Sequence, residues 1–427
     1  MISLPWGITG HQVRRENVEY SYRVLDLTDE QSFFCGKILS DLGFDVIKVE
    51  RPGGDPARNV GPFYQDTIDP EKSLFWFAYN TNKRGITLNI ESRDGQEIFK
   101  NLARSADVVI DSSTHGYMDN LGVGYSAIND INPGIIWAAI SPFGPTGPYS
   151  SYKSCEIVNM AMSGLMYLIG DPDRPPITIS FPHVCLEASA QAAMAILAAC
   201  YWREGSGLGQ RIDVAIRDSV MQIIAQLIPY WMFNKTVIHR AGQQREGRGQ
   251  GLLRLIWPCK DGFVIFFIGG GGLRSKPNQA LVEWMGGEGI PVDHFRQMDW
   301  DTFDMETVGA EFLRLLQETI AVFFLSRTKE YLFEGGLSRR IDIYPVANCA
   351  DITEQLQLKE RSYWIEVPHP ELAVDVLYPG AFVKFSETPI QIKRRAPLIG
   401  EHNQEIYGGE LGFSEMQLSA LKQAGII

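Results

Sequence analysis

The chain has 427 residues, of which 45% are hydrophobic and 21% are charged, and its formal net charge is −12. That length and composition are typical of a globular protein with two or more domains. The acidic balance disfavours a nucleic-acid partner and electrostatic docking to anionic membranes, because both depend on a surplus of Lys and Arg.

The cysteines indicate whether the protein binds a metal ion, and the N-terminal sequence indicates its cellular compartment. Six cysteines are scattered without a CxxC pair, and the seven histidines never fall at ligand spacing with them. We therefore predict free thiols and no metal site. The first residues lack the basic and apolar regions of a secretory signal, and no apolar run approaches the ~20 residues of a bilayer span. These patterns predict a cytoplasmic protein.

In chain order, the first lobe alternates apolar strands with amphipathic helices. Such alternation favours a mostly parallel sheet covered on both faces. Sheets of this kind bind ligands at the carboxyl ends of their strands. The predicted strands are 23–27, 45–50, 86–90, 108–110 and 135–140, and the predicted helices are 34–42, 95–105 and 125–131.

The second half of the chain changes composition. Residues 239–254 are polar and Gly-rich, which indicates a linker or loop between lobes. We therefore divide the chain into the first part of a large α/β domain (1–228), a linker with a small domain (229–344), and the C-terminal part of the large domain (345–427). The other predicted elements are an Ala-rich helix at 186–203, a strand at 211–216, a long helix to about 228, hairpin strands around 257–268, helices to about 337, a strand at 381–385 and a last helix near Ser414.

Three short motifs each allow two interpretations when taken singly. Arg58 ends a turn after a predicted strand, where it contacts phosphate or is simply exposed. Lys83 and Arg84 precede a strand, where they either bind a ligand or form a solvated charge pair. The four-glycine run 269–272 is a mobile flap over a ligand or a loose loop.

Taken together and in order, the motifs are far more specific. They are VLDLT at 24–28, DLGFDVIKVERPGGDPAR at 41–58, NTNKRGITLNI at 80–90, GSGLGQRIDVAIRDSV at 205–220 and APLIGEHNQEIYG at 396–408. Their order resembles the class III CoA-transferase (CaiB/BaiF) family over essentially the whole length. The resemblance implies a large Rossmann-like α/β domain built from both chain ends, a smaller α+β domain, and an interlocked dimer.

The resemblance also implies a covalent mechanism on coenzyme A and acyl-CoA, without a metal. In the family an aspartate attacks the acyl-CoA thioester, giving a mixed anhydride and CoA thiolate, and the thiolate then forms an aspartyl-CoA thioester. The acceptor carboxylate takes up the CoA and leaves as the new acyl-CoA. The residues expected to face CoA, or the nucleophile in the case of Gln31, are Gln31, Lys48, Arg51, Arg58, Asn82, Lys83, Arg84, Gly269, Gly270, Gly271 and Gly272.

The position of the family's aspartate falls on Cys185, at the start of the Ala-rich helix. We therefore predict no catalytic residue there, and interpret Cys185 as a small apolar filler. A cysteinyl thioester would lack the anhydride relay that conserves CoA. Glu187 is the alternative carboxylate. Two residues along a helix turn by about 200°, so Glu187 could serve only if the helix started late.

Other family positions differ as well. Thr114 stands where the family has an arginine for CoA phosphates. Cys155 and Cys185 stand where the racemase branch has a His and an Asp, which disfavours proton transfer at those positions. His183, next to the lost nucleophile, is interpreted as structural.

These losses favour the degenerate subunit of a heteromeric CoA-transferase, with a homologous subunit supplying the aspartate. The benzylsuccinate CoA-transferase branch resembles this arrangement, and the stretches DPARNVGPF and WPCKDGFVIFFIGGGG resemble that branch. It favours succinyl-CoA as donor, a benzylsuccinate-like acid as acceptor, and an interlocked heterodimer or heterotetramer. The alternatives are a homodimer that uses Glu187 and an acyl-CoA-binding scaffold without transfer activity.

Overall fold

The computed structural model describes residues 22–246, 252–304 and 307–427. The strands are β1 Arg23–Leu27, β2 Asp45–Glu50, β3 Arg84–Thr87, β4 Val108–Asp111, β5 Ile136–Ser141, β6 Arg211–Ala215, β7 Gln244–Glu246, β8 Leu252–Arg254, β9 Ile256–Cys259, β10 Gly262–Ile265, β11 Tyr344–Pro345, β12 Trp364–His369 and β13 Val374–Pro379. The α-helices are α1 Phe33–Asp41, α2 Leu74–Asn80, α3 Arg93–Arg104, α4 Tyr117–Asn120, α5 Tyr125–Ile131, α6 Glu156–Met162, α7 His183–Ser206, α8 Ile216–Ile223, α9 Leu227–Asn234, α10 Gly272–Gly287, α11 Asp293–Arg296, α12 Ala310–Leu325, α13 Lys329–Arg339, α14 Cys349–Glu354, α15 Leu356–Glu360 and α16 Glu415–Gln423.

Six strands form one parallel sheet in the order β3-β2-β1-β4-β5-β6. Strands β1, β2 and β4 are buried nearly end to end, as expected where helices cover both faces of a parallel sheet. The strand order reverses between β1 and β4, which opens a crevice at the carboxyl ends of those two strands. The predicted α/β fold with a parallel sheet is confirmed.

The chain divides into two compact units. The first comprises described residues 22–152, 185–215 and 366–427, and the second comprises 153–184 and 216–365. This division differs from the predicted boundaries near 229 and 345, which stay predictions of the domain limits.

The C-terminal tail packs into the core of the first unit. Ile406 and Tyr407 are fully buried in the apolar cluster that contains Phe99 and Trp137. The Tyr407 hydroxyl donates to the Thr87 carbonyl at 2.7 Å, which ties the tail to the end of β3. A large domain assembled from both parts of the chain is thus confirmed.

The second unit has its own core. Strands β9, β10 and β11 form an antiparallel sheet. The rings of Trp257 in β9, Phe266 and Phe324 pack edge to face or tilted against one another, and the Trp257 indole donates to the Phe266 carbonyl at 2.7 Å. Because this unit combines helices with antiparallel strands, it is the smaller α+β domain that was predicted.

Some predicted elements differ from the structure. Residues 381–385 form no strand, and the tail strands are β12 and β13 instead. The predicted long helix to about 228 is two helices, α8 and α9, separated by a turn at 224–226. By length and composition alone, helix α7 is the one helix in the described ranges that could cross a membrane. Half of its most apolar stretch is buried within the protein.

A fully buried ion pair joins β1 and the segment before β3 to helices α1 and α2. The Lys83 ammonium donates to the Asp26 carboxylate at 2.8 Å, to the Phe33 carbonyl at 3.0 Å and to the Asn80 side chain at 2.9 Å. Burial would raise the pKa of Asp26, but Lys83 and nearby Lys48 hold that pKa below its usual range. The ion pair packs directly against Gly36 of α1, where a methyl group would clash with the Asp26 carboxylate.

The loop that leaves β1 is tied to the same ion pair. The Thr28 hydroxyl donates to Asp26 at 2.5 Å, and the buried Lys48 ammonium donates to the Thr28 carbonyl. Lys48 also pairs with Asp55 at 3.4 Å. The backbone around Thr28 is therefore fixed by Lys48 and by Asp26, which Lys83 binds in turn.

We predict that Lys83→Met lowers the free energy of unfolding by about 3–5 kcal/mol, because it leaves the Asp26 carboxylate buried without its partner. Denaturant titration measures this change. The double variant Asp26→Asn/Lys83→Met should recover part of the loss. Lys100→Met, which removes a half-exposed lysine paired with the exposed Glu97 on α3, is the matched control and should change little. Equal effects of Lys83→Met and Lys100→Met would contradict the prediction.

Candidate functional site

A cavity of about 750 Å³ opens at the carboxyl ends of β1, β2 and β4, beside the point where the strand order reverses. Four segments provide most of its lining, namely residues 27–30, 48–52, 88–91 and 111–114. Each segment follows or ends a strand of the parallel sheet, which is where open α/β sheets bind their ligands. The fold therefore places the candidate binding site here.

Of the residues predicted to face CoA, two line this cavity. Arg51 is exposed at its edge, and Lys48 is buried in its wall. Burial would lower the pKa of Lys48, but Asp55 and Asp26 raise that pKa above its usual range, so Lys48 is a permanent cation here. Its ammonium is already bound by Asp55 and the Thr28 carbonyl.

Arg58 is a structural cation. It is 1% exposed and forms a bidentate pair with Glu50, at 2.6 and 2.8 Å, and a further pair with Glu71 at 2.7 Å. Its guanidinium also lies over the Trp76 ring, 3.8 Å from the centroid. A phosphate would have to displace these partners to bind it.

The cations of the NKR motif are bound internally as well. Lys83 is in the ion pair with Asp26, and Arg84 is bound by Asp45, Glu405 and Glu410. The Asn82 amide donates to Asp41 at 2.9 Å. None of these three lines the cavity, and their partners, apart from Asn80, are too distant in sequence for a motif to indicate.

The cavity wall is rich in carboxylates. Asp29 and Glu30 follow β1, Glu91 follows β3, and Asp111 ends β4. Burial, with a smaller contribution from Glu30, raises the pKa of Asp29 to about 6, although Ser112 and the Gln31 backbone stabilise its charged form. Burial likewise raises the pKa of Asp111. Composition alone could not have located this local acidity, because the four residues come from three separate strand ends.

Gln31 contacts Cys185, and its role beside the nucleophile position stays a prediction from the resemblance. The Cys185 thiol donates to the Gln31 side-chain oxygen at 3.8 Å, and the cysteine is 1% exposed on the first turn of α7. The β1–α1 loop therefore reaches the start of α7. A thiol occupies the place that the resemblance assigns to a carboxylate.

Glu187 lies on the same helix in a different direction. Because α7 begins at His183, the late start that Glu187 would require does not occur. Its side chain is half-buried and accepts a hydrogen bond from Gln191 at 3.2 Å. On a continuous helix it points about 200° away from Cys185.

Glu156 is a residue that the sequence reasoning missed. Its carboxylate accepts a hydrogen bond from the Val184 backbone at 2.9 Å, which satisfies an N–H group in the first turn of α7. Glu156 follows the exposed Cys155 at the start of α6. Only the pairing of the two helix starts, 28 residues apart, reveals this cap.

The remaining predicted residues lie apart from these contacts. Gly269–Gly272 lead into α10 in the second unit, where the Gly271 backbone donates to the Phe303 carbonyl at 3.0 Å. Thr114 lines the cavity at the end of β4, and His183 is exposed at the start of α7. In the described ranges no three His, Cys, Asp or Glu side chains gather to hold a metal ion.

We predict that Asp29→Asn changes the pH dependence of stability. The folded-state pKa of Asp29, about 6, lies above the usual value of about 3.9. The protonated Asp29 side chain therefore adds to the free energy of unfolding, fully so below about pH 4, and this contribution is lost as the pH rises through 6. The variant should match the wild type near pH 4 and exceed it near pH 7, by an amount on the order of 2 kcal/mol.

Thermal unfolding at a series of pH values measures this difference. Asp130→Asn, which removes an exposed carboxylate on α5, is the control and should show a difference from wild type that does not vary with pH. A constant difference for Asp29→Asn as well would contradict the prediction.

Comparison with known proteins agrees with the fold and the motifs. The family model for CoA-transferase family III matches residues 21–403. The chain is 30% identical to the succinyl-CoA:(R)-benzylsuccinate CoA-transferase subunit BbsE of Thauera aromatica, covering 95% of this chain and 97% of the relative. It is 31% identical to a formyl-CoA:oxalate CoA-transferase of Streptomyces avermitilis (95% and 98%) and 27% identical to the succinyl-CoA:glutarate CoA-transferase of Homo sapiens (95% and 89%).

Solved structures share the fold. A CaiB/BaiF family protein from Brucella suis matches with a TM-score of 0.78 at 25% identity, over 92% of this chain and 100% of that one. The Rv3272 protein from M. tuberculosis matches with a TM-score of 0.70 at 21% identity, over 90% and 97%. Since the family model spans nearly the whole chain and these relatives are named CoA-transferases, the chain belongs to CoA-transferase family III and is a transferase.

Proposed function

We propose that this chain is the subunit of a heteromeric class III CoA-transferase that lacks the nucleophile. The observation that carries the proposal is the buried Cys185 thiol in contact with Gln31 on the first turn of α7. The family mechanism needs a carboxylate at this place, because only an acyl anhydride lets the CoA thiolate return and keep the thioester energy.

Neither nearby group can substitute for that carboxylate. Acyl transfer to the Cys185 thiolate would release CoA, and the resulting protein thioester offers no anhydride for CoA to attack. Glu187 points away from Cys185 on the same helix and already accepts a hydrogen bond from Gln191. The Glu156 carboxylate, beside the first turn of α7, already accepts a hydrogen bond from the Val184 backbone. We therefore infer that the nucleophile comes from another chain.

We infer that the other chain is a homologue with an aspartate at the position of Cys185, in an interlocked heterodimer or heterotetramer located in the cytoplasm. The similarity to a benzylsuccinate CoA-transferase subunit supports succinyl-CoA as donor and a benzylsuccinate-like acid as acceptor. Relatives of comparable identity are named for transfer to oxalate or glutarate, so transfer to those two acids is the comparison that the reconstitution includes.

Reconstitution tests this assignment. We expect no transfer from succinyl-CoA to benzylsuccinate by the purified chain, and transfer once a homologous aspartate-bearing subunit is added. In the mixed complex, Cys185→Ser should leave turnover within a few-fold, because the thiol takes no part in the chemistry. A loss of about 100-fold or more, the scale of a general acid–base or nucleophilic role, would contradict this.

The matched control is Glu187→Gln on the same turn of α7. Activity of the isolated chain that Glu187→Gln abolishes would replace the proposal by a homodimeric enzyme. CoA binding without transfer in any mixture would replace it by an acyl-CoA-binding scaffold.

A further inference from the structure

The charge of the cavity is unusual for a site that would receive phosphates. Carboxylates stand at three strand ends around it, with Asp29 and Glu30 after β1, Glu91 after β3 and Asp111 at the end of β4. Open α/β sheets hold phosphates at this edge with backbone N–H groups and cations. Here the wall presents mainly negative charge instead.

The cations near the cavity do little to offset these carboxylates. Lys48 is bound by Asp55 and the Thr28 carbonyl. The Glu50 carboxylate in the lining is neutralised by its ion pair with the buried Arg58. Among the described lining residues, Arg51 is then the cation that remains to face the four carboxylates. The cavity therefore has a net negative field.

The two carboxylates after β1 are held close to the cavity. The Asp29 backbone donates to the Ser112 hydroxyl at 2.8 Å, which joins the loop to the end of β4. The Asp29 carboxylate accepts a hydrogen bond from the Gln31 backbone at 3.2 Å. One residue earlier, Thr28 is fixed by Asp26 and Lys48. The Asp29 carboxylate and the backbone that carries Glu30 are consequently fixed close to the position of an entering phosphate.

We propose that Asp29 and Glu30 exclude the phosphorylated nucleotide of CoA from this cavity, so that the heteromer binds CoA at the partner subunit's cavity alone. This inference rests on the proposed function, since it deepens the division of labour between the two chains. CoA carries a diphosphate and a 3′-phosphate on its adenosine end. Like charges repel more strongly in a partly enclosed cavity than in bulk water, so the fixed carboxylates select against that end.

Calorimetric titration of the full chain with CoA tests the proposal. We expect the double variant Asp29→Asn/Glu30→Gln to bind CoA about tenfold or more tightly than the wild type, with the largest gain at low ionic strength, where repulsion is least screened. Adenosine, which has no phosphate, should bind both proteins within about twofold. The control Asp130→Asn/Glu97→Gln removes two exposed carboxylates elsewhere on the same unit and should not tighten CoA binding.

A count of CoA bound to the reconstituted complex provides the second measurement. One CoA per pair of chains in the wild-type complex, with a second bound in the double variant, is the expected result. Two CoA molecules per wild-type pair, or a double variant that binds CoA no better than wild type, would overturn the inference. Either result would leave the proposed function intact, whereas transfer activity of the isolated chain would overturn the proposed function itself.

Discussion

The buried ion pair between Asp26 and Lys83 determines where the first loop of the parallel sheet can lie. Lys83 enters from the segment before β3 and binds β1, α1 and α2 at once, through Asp26, the Phe33 carbonyl and Asn80. A charge pair with no exposure is tolerated only when each partner is fully bonded, so these elements have one mutual arrangement. Thr28 and Lys48 extend that arrangement into the β1–α1 loop.

That loop carries both features on which the functional interpretation depends. Its residues Asp29 and Glu30 line the cavity, and its Gln31 contacts Cys185 at the start of α7. The fold of CoA-transferase family III is present, whereas the resemblance leads us to expect a thiol, Cys185, in place of its nucleophile. This combination is what the proposed division of labour between two subunits requires.

Local patterns in the sequence were sufficient for much of the fold. Strands β1 and β2 and the start of α16 were predicted at or near their observed limits, because apolar runs and a capping Ser414 are local signals. The roles of Arg58, Lys83 and Arg84 could not be predicted. In the sequence, a cation that binds phosphate cannot be told from one that binds a carboxylate. The Glu405 carboxylate that binds Arg84, for example, is 321 residues away along the chain. The acidity of the cavity depends on the same long-range folding.

The most direct measurement is the mass of each chain after the reconstituted complex reacts with an acyl-CoA donor. If this chain lacks the nucleophile, a covalently bound CoA or acyl group will be found on the partner chain, at its aspartate, and this chain will keep its unmodified mass. A stoichiometric acyl or CoA adduct on this chain, at Cys185, Glu187 or any other residue, would contradict the assignment.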